Sequence, residues 1–150
     1  MKKIFAVIAF LFLFVFAGCN KIPKTYYYDR GESYDTGVFV ISLDSYTETL
    51  NPDDSVLLKI LVSVENKSNN DDTFTFNNPQ VSAPGKDDFY KINSNDNSVF
   101  VKAGEKITKE FQVTINENID TASTFRFKDG NYSRIFYLKA RNINQMDIAR

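Results

Sequence analysis

Two stretches of this sequence alternate apolar and polar side chains with a period of two residues. In "VLLKILVSVEN" (Val56 to Asn66) every second residue from Val56 to Val64 is Val, Leu or Ile, and "ITKEFQVTI" (Ile107 to Ile115) repeats the pattern with Lys109 as its exception. Successive side chains of a β-strand point to opposite faces, whereas a helix would scatter these residues around its circumference. Both stretches therefore predict strands of a sheet that has one buried face.

Shorter runs of the same kind predict the remaining strands. They are Val38 to Tyr46, Thr73 to Phe76, Asp88 to Ile92, Ser98 to Val101, Thr124 to Lys128 and Tyr132 to Ala140. Asp129-Gly130-Asn131 joins the last two as a hairpin, and turn residues recur elsewhere at roughly 8–12-residue spacing. We predict an all-β fold, a β-sandwich of about seven or eight strands over residues 37–140, followed by a peripheral tail at 141–150.

The first 18 residues have the layout of a secretory signal peptide. Lys2 and Lys3 form a positive start, and about 13 residues from Ile4 to Phe16 contain no polar side chain. As a helix this apolar run would be roughly 20 Å long, short of the ~30 Å hydrocarbon core of a bilayer. We therefore predict a cleaved signal-peptide helix at residues 1–18 rather than a permanent membrane span.

The only cysteine of the chain follows this segment directly. Phe16-Ala17-Gly18-Cys19 resembles the lipobox of bacterial lipoproteins, with Phe16 standing where Leu is commoner. The resemblance implies that a signal peptidase recognises Phe16, Ala17 and Gly18, and that Cys19 receives diacylglycerol and becomes the new N-terminus. Two acyl chains, palmitate among them, make such attachment stable. The alternative is a plain secretory signal peptide with an incidental thiol.

Residues 19–36 are polar and include Pro23 and Gly31, so we interpret them as the lipidated cysteine and a short tether. Tyr26, Tyr27 and Tyr28 are unusual in a tether. Their rings could lie at the level of the lipid headgroups or dock on a partner, or they could pack back on the domain.

A family resemblance rests on two further stretches, "LLKILVSVENKSNN" (Leu57 to Asn70) and "VKAGEKITKEFQV" (Val101 to Val113). In this order behind a lipobox, they are similar to a telokin-like, immunoglobulin-like domain of bacterial surface lipoproteins. The resemblance implies an immunoglobulin-like β-sandwich and supplies no biochemical activity. From the residues alone, Asn66 and Gly104 are better explained as turn makers than as ligands.

Composition excludes several classes of function. The chain has no histidine, which removes Ser-His-Asp and Cys-His nucleophilic sites and His-ligated zinc. Loss of Lys2 and Lys3 with the leader leaves 16 basic against 19 acidic side chains, so no basic surface is available for nucleic acid. A single cysteine also excludes an intrachain disulfide.

Acidic and amide clusters lie in the predicted loops, at Asp53-Asp54, Asn69 to Asp72, Asp87-Asp88 and Asn93 to Asn97. None matches the ligand spacing of a calcium-binding loop, and adjacent carboxylates on a strand face apart, which disfavours a glycosidase pair. We predict solvated loops, no metal, no cofactor and no catalysis.

Aromatic residues occupy both faces of the predicted C-terminal hairpin, at Phe125, Phe127, Tyr132, Phe136 and Tyr137. One face could fill the core while the other forms an interaction patch for a protein or sugar. Alternatively, the second sheet or the tether covers both faces.

Together these observations predict a lipid-anchored lipoprotein on the extracytoplasmic face of the cell membrane, or of an outer membrane if the source has one. Its predicted role is a non-catalytic binding module whose partner is an envelope or extracellular protein. The competing hypothesis is a ligand- or metal-binding accessory lipoprotein of an envelope transport or stress system.

Overall fold

A computed structural model describes residues 24–82, 89–92, 96–120 and 122–140 of the chain. Within these ranges the protein is all-β, and no segment forms a helix that is long and apolar enough to cross a membrane. The strands are β1 (Thr25–Tyr28), β2 (Ser33–Asp35), β3 (Phe39–Leu50), β4 (Val56–Asn66), β5 (Asp72–Thr75), β6 (Asn77–Ser82), β7 (Phe89–Lys91), β8 (Ser98–Val101), β9 (Lys106–Ile115), β10 (Thr124–Asp129) and β11 (Tyr132–Tyr137).

The strands form two main sheets and one small one. The five-stranded sheet has the order β1-β11-β10-β6-β7, the four-stranded sheet has the order β2-β3-β4-β9, and β5 pairs with β8. In the immunoglobulin-like arrangement, strands A, B and E share one sheet and C, F and G share the other. β3, β4 and β9 take the first set of places here, and β6, β10 and β11 take the second. The prediction of an all-β sandwich is confirmed.

Phenylalanine rings fill the space between the two sheets. The ring of Phe76 lies 4.9 Å from those of Phe74 and Phe127, and 5.1 Å from that of Phe111, measured between centroids. The alternating residues Val56 to Val64 of β4 are all at most 3% exposed, as their period of two predicted. Aromatic rings in edge-to-face contact contribute beyond the area that they bury, so this cluster stabilises the contact between the sheets.

Three of the observed strands were not predicted from the sequence, namely β1, β2 and β6. β1 contains three consecutive tyrosines and shows no alternation, and β2 is three residues long. β6 begins with Asn77-Asn78-Pro79, in which Asn78 has a left-handed φ of 51° and the register with β10 shifts. Each of these strands is held by tertiary pairing rather than by a local pattern.

The interpretation of residues 19–36 as a tether is corrected by β1 and β2. β1 pairs in parallel with β11, and β2 pairs with β3. The Lys24 carbonyl already accepts a hydrogen bond of 3.0 Å from the Ser133 amide, so the ordered domain begins by Lys24 instead of residue 37. The predicted signal peptide at 1–18, the start of the tether at 19–23 and the tail at 141–150 lie outside the described residues.

The two stretches that carry the family resemblance meet at Asn66. Its side chain is fully buried, and its Nδ2 donates to the carbonyls of Asn70 (2.7 Å) and Val101 (3.0 Å). Its Oδ1 accepts from the backbone and hydroxyl of Ser68. The Asn66 carbonyl accepts from Gly104, whose φ of 70° suits glycine. Asn66 and Gly104 are therefore turn makers, as the sequence predicted.

Lys109, the exception in the alternating pattern of β9, has a structural explanation. Lys109 stands opposite Val62 on the inner face of β9, and β9 is the edge strand of the four-stranded sheet. The Lys109 side chain is 19% exposed, and its Nζ lies 3.7 Å from the Asp96 carboxylate. An inward-pointing charge on an edge strand discourages pairing with another chain, which explains why this alternating strand carries a lysine.

Candidate binding face and tyrosine cluster of the five-stranded sheet

The structure divides the predicted aromatic patch between the core and the surface. Phe125, Phe127 and Phe136 are each 1% exposed, because they face the opposite sheet, and this corrects the prediction that they belong to an interaction patch. Tyr132 is 42% exposed at the start of β11, and Tyr137 is half-buried at its end. Only the two tyrosines of the predicted set are therefore accessible for contact with a partner.

The outer face of the five-stranded sheet carries two rows of side chains that run across the strands. Strand register places Tyr27, Ile135, Arg126, Gln80 and Lys91 side by side in the first row. The second row consists of Tyr137, Thr124, Ser82 and Phe89. We call Tyr27, Phe89, Arg126, Ile135 and Tyr137 the outer aromatic face.

The rings of this face are supported by their neighbours in the rows. Tyr27 is 57% exposed and its ring stacks at 6.0 Å on that of Tyr137. Ile135 is 8% exposed yet lies outside the continuous core cluster, which places it beneath this pair on the outer side. The outer aromatic face therefore offers apolar and aromatic surface on the five-stranded sheet.

Arg126 lies next to Ile135 in the first row and contacts Gln80 and Phe89. Its Nε donates to Gln80 Oε1 at 2.7 Å, its Nη2 donates to the same oxygen, and its Cζ lies 3.2 Å from the centroid of the Phe89 ring. Burial lowers the pKa of the Arg126 guanidinium, because the group is partly withdrawn from water. The neighbouring hydroxyls of Ser82 and Thr124 hydrogen-bond each other at 2.8 Å. Arg126 thus pairs with Gln80, and Ser82 pairs with Thr124, within the face.

A second group of residues lies on the inner side of the β1–β11 edge, centred on Arg134. The Arg134 guanidinium lies 3.8 Å from the ring centroid of Tyr34, 4.5 Å from that of Tyr26 and 5.3 Å from that of Tyr132. Its nitrogens donate to the hydroxyls of Tyr28 (3.2 Å) and Tyr34 (3.0 Å). We call these five residues, with Asp129, the tyrosine–arginine cluster.

Tyr34 connects the four-stranded sheet to this cluster. Its hydroxyl donates to Asp129 Oδ2, and the same carboxylate lies 3.8 Å from Arg134 Nη2. Burial, followed by the hydrogen bond to Asp129 and its negative charge, raises the pKa of Tyr34 to about 12, while Arg134 acts in the opposite direction. The hydroxyl therefore stays protonated at neutral pH and joins the two sheets as a donor.

Converging Asp, Arg and Tyr side chains are the arrangement that a small-ligand carrier would need. Here the Arg134 side chain, 10% exposed, fills the space between the rings. Its Nε has no hydrogen-bond acceptor among the described residues, which leaves one buried donor inside the cluster. The chain's own cation thus lies among the tyrosine rings of the cluster.

Several of the acidic loop residues accept hydrogen bonds from nearby backbone amides or hydroxyls. Asp53 accepts from the Ser55 amide and hydroxyl, and these hydrogen bonds lower the pKa of Asp53. Asp71 accepts from the Ala103 amide at 2.9 Å. In the described segments no three His, Cys, Asp or Glu side chains converge to hold a metal ion. Asp87, Asp88, Asn93 and Asn95 lie outside those segments, as do Phe16, Ala17, Gly18 and Cys19.

Sequence reasoning missed three residues of each group: Phe89, Arg126 and Ile135 on the outer aromatic face, and Tyr34, Asp129 and Arg134 in the tyrosine–arginine cluster. Arg126, Phe89 and Ile135 share a face only because β7, β6, β10, β11 and β1 are neighbours, and this order is not visible in the sequence. A signal existed for Arg134, which stands two residues before Phe136 and so shares the inner face of β11. A buried arginine in that position requires hydrogen-bond partners, and tyrosines are the partners found.

Comparison with known proteins supports the fold alone. No protein-family model matches the sequence, and no curated protein matches it either. The structure is similar to that of an uncharacterised β-sandwich protein from Clostridium difficile, with a TM-score of 0.56, 9% identity, and coverage of 80% of this chain and 98% of that one. For the yjhA protein from Bacillus subtilis the TM-score is 0.45 at 13% identity, with coverage of 75% and 99%.

Proposed function

We propose that this protein is a lipid-anchored, extracytoplasmic binding module without catalysis, and that the outer aromatic face receives an envelope or extracellular protein. In this proposal, Phe16, Ala17 and Gly18 direct cleavage and Cys19 carries the acyl chains. The telokin-like, surface-lipoprotein resemblance belongs to the same proposal, since it joins the lipobox to an immunoglobulin-like domain.

The observation that carries the proposal is the exposure of aromatic rings on a rigid sheet. Tyr27 is 57% exposed and Phe89 is 36% exposed; they stand on the opposite edge strands of the sheet, and Arg126 lies between these edges in the row of Tyr27. Tyrosine, phenylalanine and arginine are enriched in protein interfaces, and tyrosine and arginine are among the residues that most often carry the binding energy there. The hydroxyls and amide between them pair within the face, so its rings are the groups left to contact a partner.

The edge strands of the two main sheets also favour the outer aromatic face as the docking surface. β9 is protected by the inward Lys109, and the remaining edge strands of the two main sheets, β1, β2 and β7, have at most four residues. Addition of a partner strand to an edge is therefore less favourable than docking against the face.

The proposal is tested by placing a photoreactive phenylalanine analogue at position 27 or 89 of the full-length protein in its native cells. Both positions are expected to cross-link one and the same envelope or extracellular protein after illumination. The control position is Thr114, which is exposed on the outer face of the four-stranded sheet and is expected to give no such product. Equal cross-linking from all three positions, or none from 27 and 89, contradicts the proposal.

A further inference from the structure

We propose that the exposed pair of tyrosines at the start of β1 and β11, Tyr26 and Tyr132, docks on the headgroup region of the membrane that carries the anchor. This inference rests on the proposed lipid attachment at Cys19 and adds a contact surface of the folded domain to it. It uses a different surface from the outer aromatic face, because Tyr26 and Tyr132 lie on the inner side of the β1–β11 edge.

Only a short stretch of chain separates the proposed anchor from the domain. Because Lys24 already belongs to the β1–β11 pairing, only four residues separate it from Cys19. A fully extended chain of this length spans at most about 18 Å. The start of β1 is therefore held close to the membrane surface, whereas the predicted tether of 18 residues would have allowed a much longer reach.

Parallel pairing brings the start of β11 next to the start of β1. Tyr26 stands opposite Arg134, and the rings of Tyr26 and Tyr132 make an edge-to-face contact at 5.9 Å. They are 40% and 42% exposed, although Arg134 lies against both. The end of the domain that is nearest to the anchor thus presents two supported but accessible rings.

The chemistry of the two rings and of their neighbours suits a membrane surface. Tyrosine has an apolar ring and a polar hydroxyl, and it is enriched where hydrocarbon meets water in membranes. Lys24 is exposed two residues before Tyr26, and Lys128 is exposed on the outer face at the same end of the sheet, opposite Ser133; lysines are attracted to anionic headgroups. The nearby carboxylate of Asp129 is engaged by Tyr34 and Arg134, which reduces its repulsion of those headgroups.

The opposite end of the sandwich provides an internal control. Leu50 is 68% exposed at the end of β3, a strand of 12 residues that extends roughly 36 Å at the usual rise. The start of β3 lies near the Tyr26–Tyr132 end, since the ring of Phe39 packs on Phe74 and Phe74 packs on Phe127. Leu50 is therefore an exposed apolar residue that faces away from the membrane in this proposal.

Because the chain contains no tryptophan, a single substitution provides a fluorescent reporter. The mature lipidated protein is reconstituted into vesicles of phosphatidylcholine and phosphatidylglycerol, with or without bromine near the top of the acyl chains. We expect brominated lipid to lower the emission of the Tyr132→Trp variant roughly twofold, as for a ring about 5–10 Å deep in the interface, and to leave the Leu50→Trp variant unchanged. Denaturant curves of both variants establish that they are folded.

The outcomes separate this inference from the proposed function. If the proteins float with the vesicles but the Tyr132→Trp variant is not quenched, the anchor exists and the tyrosine pair faces away from the membrane. This result overturns the docking and leaves the proposed anchor standing. Equal quenching of both variants would also overturn it, since the contact would then lack orientation. Failure of the wild-type protein to float would overturn the lipid anchor and the docking with it.

Discussion

At the scale of single residues, two buried polar side chains join parts of the chain that are distant in sequence. Asn66 ties the end of β4 to the turn before β9, and Tyr34 ties β2 to the tyrosine–arginine cluster. Both make several hydrogen bonds in places where an unpaired polar group would be costly. Their contribution is best measured through substitutions that remove or reverse one hydrogen-bonding role.

Substitution of Asn66 is expected to destabilise the domain strongly. Asn66→Ala removes the donors to Asn70 and Val101, so the free energy of unfolding should fall by about 2–4 kcal/mol. Asn66→Asp, of the same size, turns a carboxylate oxygen toward those carbonyls and should cost at least as much. Urea denaturation measures both variants, with Asn69→Ala in the same loop as the matched control.

Asn69 is exposed, so its replacement should change stability by less than about 0.5 kcal/mol. If Asn66→Asp proves as stable as the wild type, the buried hydrogen bonds of Asn66 do not hold the two segments together.

The raised pKa of Tyr34 predicts that the folded domain loses stability at alkaline pH. Its pKa is raised from an ordinary value of 10.0 to about 12 in the folded state, so below pH 10 the hydroxyl is protonated in both states and the stabilisation is complete. As pH rises from 10 to about 12, only the unfolded state releases the proton, and the stabilisation is lost. Urea midpoints across this range should therefore converge for the wild type and Tyr34→Phe. If the difference between the two urea midpoints stayed constant across this pH range, the raised pKa assigned to Tyr34 would be contradicted.

At the scale of elements, the pattern of the chain predicted the long strands and three of the short ones, β5, β7 and β8, but missed β1, β2 and β6. β4 and β9 follow from a period of two, and the β10–β11 hairpin follows from its Asp-Gly-Asn turn. β1 was interpreted as tether because its order comes from pairing with β11, more than 100 residues away. For the same reason, the sequence could not show which aromatic residues would share the outer face.

The inward position of Lys109 is expected to keep the edge strand β9 from pairing with a strand of another chain. Lys109→Val should leave the monomer as stable as before or slightly more so, since Val62 stands opposite, yet it should increase self-association at high concentration. Sedimentation velocity measures the change in size. Lys109→Arg keeps the inward charge and should remain monomeric. A monomeric Lys109→Val variant at the same concentration would show that the lysine does not protect this edge.

At the scale of the whole molecule, the correction to the tether changes how the domain is held. With the proposed anchor at Cys19, Lys24 lies within about 18 Å of the attachment point, so the near end of the sandwich stays close to the bilayer. The proposed arrangement has one end of the domain on the headgroups, through Tyr26 and Tyr132, and leaves the outer aromatic face free for a protein partner. These two proposals depend on acylation at Cys19.

Metabolic labelling with palmitate tests that acylation directly. Cells that express the full-length wild type or the Cys19→Ala variant are given labelled palmitate, and each protein is then recovered and its label and membrane association are measured. The account predicts that the wild type carries the label and sediments with membranes, whereas Cys19→Ala carries none. A Cys19→Ala variant that is labelled as strongly as the wild type would contradict the lipid anchor.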